Sequence, residues 1–292
     1  MKLALFGELR LGAVTGDEIV DISAAVPRHD ADALTAGWWR GLCRDFPRLR
    51  PELEAGAATG TAVKLADVRL LAPVLNPSKI IACASNYRDH VAEMHEVQQR
   101  TIGHVEDWMM NFDVFLKAPS AISGPADGIV LPRPVLDAGQ EIHHESELVI
   151  VIGAGGRDIP EDAALSHILG YTIGLDITVR GAADRSRRKS YDTFAPLGPW
   201  ITTADEAGDP ASLVIDLVRN GDDHRQHAET SDMITPVTAI VSQASRAMTL
   251  LPGDLIFTGA PPGVGPIYPG DVLYTRISGL GSMTINVLGT PA

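Results

Sequence analysis

Cysteine is nearly absent. The chain of 292 residues has two, Cys43 and Cys83. Two thiols cannot make a disulfide framework or a cysteine-rich zinc module, and such usage fits a reducing compartment, so a cytoplasmic protein is expected. Basic residues are the minority charge: 24 Lys and Arg against 37 Asp and Glu, a formal charge of −13. A chain this acidic repels polyanions, which argues against general binding to nucleic acid or to an anionic membrane surface. A local basic or metal-filled pocket for a small anion is still open to it. Long apolar runs are lacking too. No stretch approaches the roughly 18 apolar residues of a membrane span, and Glu8 and Arg10 interrupt the apolar start MKLALFGELRLG before a signal-peptide core could form. Aromatic residues make up only 5%, beside 28 Gly and 20 Pro, which points to many turns and hence many strands.

What is present is ordinary globular material, 45% hydrophobic and 21% charged. At about 150 residues per domain the length suggests two domains. KLALFGELRLGAVTGDEIVDIS reads as short strands broken by turn residues. DADALTAGWWRGLCRDF has apolar residues at helical spacing, EAGAATGTA reads as a small flexible stretch, and LLAPVLNPSK carries two prolines. A boundary near residue 72 divides a small N-terminal domain, 1–72, from a larger one, 73–292. From Lys79 onward β-rich segments dominate, with helical stretches only at YRDHVAEM, PEDAALSHI and ITPVTAIVSQASRAM. The expected class is α+β, rich in strand.

HHESELVIVIG is the most informative stretch. Residues two apart on a strand share a face, so Glu145 and Glu147 point the same way, and Val149 and Val151 continue that face into a core. Adjacent carboxylates repel and need a cation or a shared proton. Asp176 is the one acid in the apolar segment GYTIGLDIT, and charges are seldom buried there without a partner. Glu145, Glu147 and Asp176 together could hold Mg²⁺ or Mn²⁺, hard cations that favour oxygen ligands. The same Glu-x-Glu spacing also suits the solvated face of an edge strand.

Three further constellations stand out. In NYRDHVAEM, His90 and Glu93 are three apart and share one face of a helix, which makes a general-base unit or simply a charged surface helix. In RRKSYDTFAPLGP, Lys189 follows Arg187 and Arg188, a basic cluster that could receive a carboxylate or a developing oxyanion, or form a solvated turn. FTGAPPGVG follows an apolar strand as a rigid loop whose backbone N–H groups could point at a ligand. It lacks the Gly-Lys-Ser/Thr ending of a phosphate-binding loop. His143 and His144 could be outer partners of the carboxylates. His95 and His104 read as loop residues, His167 as structural, and Cys83, Trp38 and Trp39 as packing.

The blocks NYRDHVAEM, FLKAPSAISG, HHESELVIVIG, GYTIGLDITVR, KSYDTFAPLGPW, TSDMI, LLPGDLIFTGAPPGVG and PGDVL occur in that order over residues 79 to 290. In this they resemble the fumarylacetoacetate hydrolase family. The resemblance implies a mixed β-roll with a small N-terminal α+β domain, a Mg²⁺ or Mn²⁺ site on Glu145, Glu147 and Asp176, a His90–Glu93 pair and an active-site Lys189. It also implies substrate contacts at Tyr87, Arg180, Gly259 and Ala260, and a homodimer. Members act on small anionic 2-oxo acids and acylpyruvates by C–C hydrolysis, decarboxylation or keto–enol isomerisation, through a metal-held enolate.

Two departures from the family pattern are visible. After Arg180 the run Gly181-Ala182-Ala183 lacks the Asp and Gln that close relatives carry, and Ala260 stands where they have a hydroxyl. The long stretch 94–113 suggests a lid. The favoured expectation is a metal-dependent acylpyruvate hydrolase with His90 activating water. A 2-oxo diacid decarboxylase or a dienedioate isomerase on the same site is the first rival. A non-catalytic protein that binds a small oxo acid is the second.

Overall fold

A computed structural model describes residues 1–30, 37–105 and 111–290. The strands of the described residues form three sheets in an α+β arrangement; the eleven-stranded and five-stranded sheets mix parallel and antiparallel pairs, and the three-stranded one is antiparallel. At the middle of the eleven-stranded sheet Ser146–Ile152 and Ile168–Leu175 pair antiparallel, and every residue of both is buried. Covered on both faces, these segments read as near-continuous apolar runs instead of alternating ones. Gly174 lies opposite Glu147 and lets the layers close. A Cβ there would stand 2.5 Å from Phe257 Cε1.

Strand direction decides what gathers where. Ser146–Ile152 is antiparallel to Leu255–Phe257, which runs parallel to Ile80–Ala84. The N-terminal end of the first strand therefore shares one sheet edge with the C-terminal ends of Ile168–Leu175, Leu255–Phe257 and Ile80–Ala84. The acidic residues, the 258–263 loop and the NYRDH segment converge at that edge. A small sheet of Ile142–His144, Thr178–Val179 and Gly265–Pro266 ties their flanks together. The remaining sheet has five strands, and in its Val272–Ile277 strand buried and open residues alternate, as one covered face requires.

The N-terminal strands Lys2–Phe6, Arg10–Thr15, Glu18–Asp21 and Ala62–Lys64 extend the large sheet, with Lys2–Phe6 hydrogen-bonded to Ala195–Thr203. Helix α1, Gly37–Thr59, buries Trp38, Trp39, Leu42, Phe46, Leu49 and Leu53 at spacings of one to four. It corrects the flexible reading of EAGAATGTA, since most of that segment is helical. An interior proline costs a helix about 3 kcal/mol, and α1 contains Pro47 and Pro51. Each large buried side chain returns roughly 1.5–3 kcal/mol, so the apolar stripe carries the helix through both. PEDAALSHI is corrected as well, to 3₁₀ turns over Glu161–His167. Helix α2, Arg88–Ile102, covers YRDHVAEM and continues past it, so His95 is helical and not in a loop. A third long helix spans Val237–Ala247.

Candidate active site

Glu145 precedes one central strand and Asp176 follows the other. Their pairing continues beyond the strand ends, with Asp176 N–H donating to the Glu145 carbonyl at 2.8 Å. Oxygens of Glu145, Glu147 and Asp176 lie within 4.8 Å of one another. The three residues are 3%, 1% and 1% exposed, which excludes the solvated edge-strand alternative.

Buried cations crowd around two of the three. Lys189 Nζ donates to Glu145 Oε2 at 2.6 Å, Asp176 Oδ2 at 2.5 Å and Thr178 Oγ1 at 2.7 Å. Lys117 Nζ donates to Asp176 Oδ1 at 2.7 Å, and Arg180 Nη2 to Glu145 Oε1 at 2.6 Å. Burial works to raise Glu145, but the charges of Lys189 and Arg180 outweigh it and hold the carboxyl well below its usual range. Burial pushes the Lys117 ammonium down, opposed by Asp176 and reinforced by Lys189.

Glu147 differs. Its Oε2 accepts the Gly259 N–H at 2.7 Å, and no Lys, Arg or His among the described residues forms an ion pair with it. Burial, then the charges of Asp176 and Glu145, push it well above the carboxylate range. A buried carboxylate in that condition is short of a cation, and a three-carboxylate oxygen set suits a hard divalent ion. The residues present fit the metal.

His90 and Glu93 lie in the first two turns of α2, joined at 3.2 Å from Nδ1 to Oε2. Glu93 Oε2 also accepts the Gly263 N–H at 3.2 Å. The FTGAPPGVG loop thus spends two of its N–H groups on the protein's own carboxylates, Glu147 and Glu93, which corrects the expectation that they are free for a ligand. Both donors need glycine. Gly263 has φ +92° and a Cβ there would stand 1.8 Å from the Arg225 carbonyl oxygen; Gly259 has φ +97°. Buried Asn86 staples this loop to its neighbour. Its amide donates to the Thr258 and Thr235 carbonyls and accepts from Thr235 N–H.

A cavity of about 470 Å³ opens over the cluster, bordered by His90, Glu145, Arg180, Lys189 and Ala260, with the 181–188 segment on one side and Met94, Val97 and Gln98 of α2 on another. Tyr87 and Gly259 are not in its wall. Tyr87 is buried and lines a separate hollow beside Asp232 and Met233. Arg180, expected at a substrate, is bonded to Glu145. His143 turns to Glu141 at 2.9 Å and His144 to Gln226 at 3.3 Å, so neither hydrogen-bonds the acidic cluster. Of the lid segment 94–113, residues 94–102 are helical in α2 and 106–110 lie outside the described residues.

Lys117, Thr178 and Gly263 escaped the sequence reading. Lys117 carried a usable signal, as a lone charge in the apolar run VFLKA, the same sign by which Asp176 was found. The Gly263 contact with Glu93 crosses 170 residues and has no local signature.

Comparison with known proteins bears on this arrangement. The family model for fumarylacetoacetate (FAA) hydrolase C-terminal matches residues 79–288. Maleylpyruvate hydrolase of Aquipseudomonas alcaligenes is 39% identical over 98% of this chain and 99% of its own. The crystal structure of maleylpyruvate hydrolase from Sphingobium sp. SYK-6, in complex with manganese(II) and pyruvate, is 42% identical with a TM-score of 0.87, covering all of both chains. 2-Hydroxyhepta-2,4-diene-1,7-dioate isomerase from Mycobacterium marinum is 33% identical with a TM-score of 0.75, again over both whole chains.

Proposed function

Because the chain belongs to the fumarylacetoacetate hydrolase family, we propose that it is a divalent-metal-dependent hydrolase of acylpyruvates related to maleylpyruvate, releasing pyruvate and a carboxylic acid. The observation that carries this reading is one cavity bordered by His90, Glu145 and Lys189, with Glu147 and Asp176 buried behind it. Glu145, Glu147 and Asp176 would hold the ion, Mg²⁺ or Mn²⁺, both of which accept carboxylates. The manganese in the similar Sphingobium structure supports Mn²⁺ as the first ion to try.

When bound, the ion supplies a Lewis acid for the 2-oxo carboxylate end of the substrate. His90, oriented through Nδ1 by Glu93, takes a proton from water through its other ring nitrogen. The water oxygen bonds to the acyl carbonyl carbon. The C–C bond between that carbon and the pyruvate unit then breaks, its electron pair passing to the pyruvate fragment as an enolate. The proton held by His90 returns to the enolate carbon, which completes pyruvate. Lys189 contributes positive charge beside the enolate oxygen. Ala260 borders this space without a polar side chain.

The test is hydrolysis of maleylpyruvate by the purified protein with Mn²⁺ or Mg²⁺, with and without EDTA, following substrate absorbance and pyruvate release. Metal-dependent pyruvate production is expected, lost in His90→Ala. No turnover with either ion overturns the reading. Loss of substrate absorbance without pyruvate release, surviving in His90→Ala, would favour decarboxylation or isomerisation, which need no attacking water. We further propose a homodimer in the cytoplasm, supported by the family resemblance and, for the compartment, by two unpaired thiols. Light scattering decides the oligomer.

A further inference from the structure

The strand Asp223–Glu229 is an edge of the five-stranded sheet. Its pairing with Val214–Arg219 slips by one residue. Leu217 faces Gln226 and Val218 faces His224, which leaves Arg225 as a bulge. A bulge bends its strand and re-aims the side chains beside it. Just past it Gln226, Ala228 and Thr230 are buried, while His227 and Glu229 are exposed. Gln226 is 2% exposed, and its amide meets chain that is 80 and 35 residues away.

Both ends of that amide are engaged. Oε1 accepts the Ser146 N–H at 2.9 Å and faces His144 Nδ1 at 3.3 Å, and Nε2 donates to the Pro261 carbonyl at 3.1 Å. The two backbone partners fix which end is which, because a peptide N–H only donates and a carbonyl only accepts. Each partner sits between functional groups. Ser146 separates Glu145 from Glu147, and its hydroxyl also meets Thr275 Oγ1 of the five-stranded sheet at 2.6 Å. Pro261 lies midway between Gly259, whose N–H holds Glu147, and Gly263, whose N–H steadies Glu93. The neighbouring Arg225 carbonyl is the group that leaves no room for a Cβ at Gly263. One buried side chain thus ties the carboxylate strand to the loop. Glutamine has both the reach and the paired donor and acceptor that this tie requires.

We propose that Gln226 is a positioning residue. It sets the spacing between the metal-binding carboxylates and the loop that steadies Glu93, so that ion affinity and proton transfer at His90 depend on one amide. This rests on the reading of the site as a metal-dependent hydrolase. Gln226 does not border the cavity; it acts through Ser146 and Pro261.

The experiment compares Gln226→Met with Thr230→Val. The Thr230 hydroxyl bonds the Leu213 N–H and carbonyl, so Thr230→Val removes buried hydrogen bonds beside the same strand without touching the carboxylates or the loop. Mn²⁺ affinity is read by calorimetry, and kcat and KM for maleylpyruvate are read in saturating Mn²⁺, at a temperature where all forms are folded. Gln226→Met should weaken Mn²⁺ binding and lower kcat by roughly 10- to 100-fold each, the range for partners that orient metal ligands, with KM little changed. Thr230→Val should lower Tm and leave both readings at the wild-type level. Wild-type Mn²⁺ affinity in Gln226→Met, a loss in only one of the two readings, or equal losses in Thr230→Val overturns the proposal. Should Gln226→Met fail to fold, Gln226→Asn asks the same question. Its amide is one methylene short of spanning both partners, so the same two losses are expected, and wild-type values overturn the proposal. If the wild type binds Mn²⁺ but cleaves no acylpyruvate, the hydrolase reading fails, while the Mn²⁺ titrations still decide the role of Gln226.

Discussion

Lys117 and Asp176 form an ion pair with neither side chain open to solvent, Nζ donating to Oδ1 at 2.7 Å. The pair also assigns the two oxygens of Asp176. Oδ1 is held from behind by Lys117, and Oδ2 faces Lys189. Breaking a buried pair from one side leaves an uncompensated charge, at a cost of about 3–5 kcal/mol. Lys117→Met should therefore lower the unfolding free energy of the metal-free protein by about that amount. Because a divalent ion would supply the missing charge, the deficit should shrink in saturating Mn²⁺. Urea titrations with Mn²⁺ and with EDTA check both halves.

Glu147→Gln should separate metal binding from stability. Glu147 has no ion-pair partner among the described residues and suffers the fields of Asp176 and Glu145. Neutralising it relieves that repulsion, so the metal-free variant should melt no lower than the metal-free wild type. A ligand that binds only the folded state adds about 2.7 kcal/mol at 100 times its Kd. The metal-induced rise in Tm should appear in the wild type and vanish in the variant. Thermal melts with and without Mn²⁺ read both, and an undiminished rise would remove Glu147 from the ligand set.

Gly263→Ala should disable the site from a distance. The added methyl would collide with the Arg225 carbonyl oxygen and displace the N–H that steadies Glu93. Gly270→Ala is the control: it has a similar φ of +97° with open space around the added carbon. Backbone strain of about 1–3 kcal/mol is common to both. Only Gly263→Ala should lower kcat at temperatures where both variants are folded. Equal kcat values would show that Glu93 needs no help from the loop.

Acid stability should carry the mark of Glu141. Its hydrogen bond to Arg100 lowers its carboxyl from 4.5 to about 2, against burial and helped by His143. A folded pKa below the unfolded one means the unfolded chain takes up the proton first. Stability from this pair is therefore complete above about pH 4.5 and is lost as pH falls toward 2. Glu141→Gln should flatten that part of the stability–pH curve and leave its neutral limb parallel to the wild type. Since Arg100 sits in the last turn of α2 and Glu141 precedes the Ile142–His144 strand, the same variant should loosen α2 and speed amide exchange there.

Much of the site was legible because charge in an apolar strand is costly and so conspicuous. Asp176 stands out on that ground, Glu145 and Glu147 by their two-residue spacing on one strand face, and His90 with Glu93 by helical spacing. Lys117 obeys the same rule as Asp176, a lone charge in the apolar run VFLKA, but nothing in that run marks which distant carboxylate it meets. The roles of Gly259 and Gly263 could not be read. A glycine in a loop signals backbone freedom, and what its N–H meets depends on chain more than a hundred residues away. Local rules misjudged the end of α1 for the opposite reason. Ala and Gly after a proline suggest mobility, while the buried stripe ending at Leu53, from which the helix runs on, and the packing of partly buried Ala57 against the core are visible only once the core is assembled.

Three carboxyl groups, Glu145, Glu147 and Asp176, and three cations, Lys117, Arg180 and Lys189, share one buried cluster. Burial and the charges of Asp176 and Glu145 push Glu147 well above the carboxylate range, so without a metal it favours its neutral form. A divalent ion at this cluster would displace that proton, so metal uptake should release acid and tighten as pH rises. An ion that also receives the substrate's carboxylate must bind more tightly when substrate is present, by the same factor that the substrate gains from the ion.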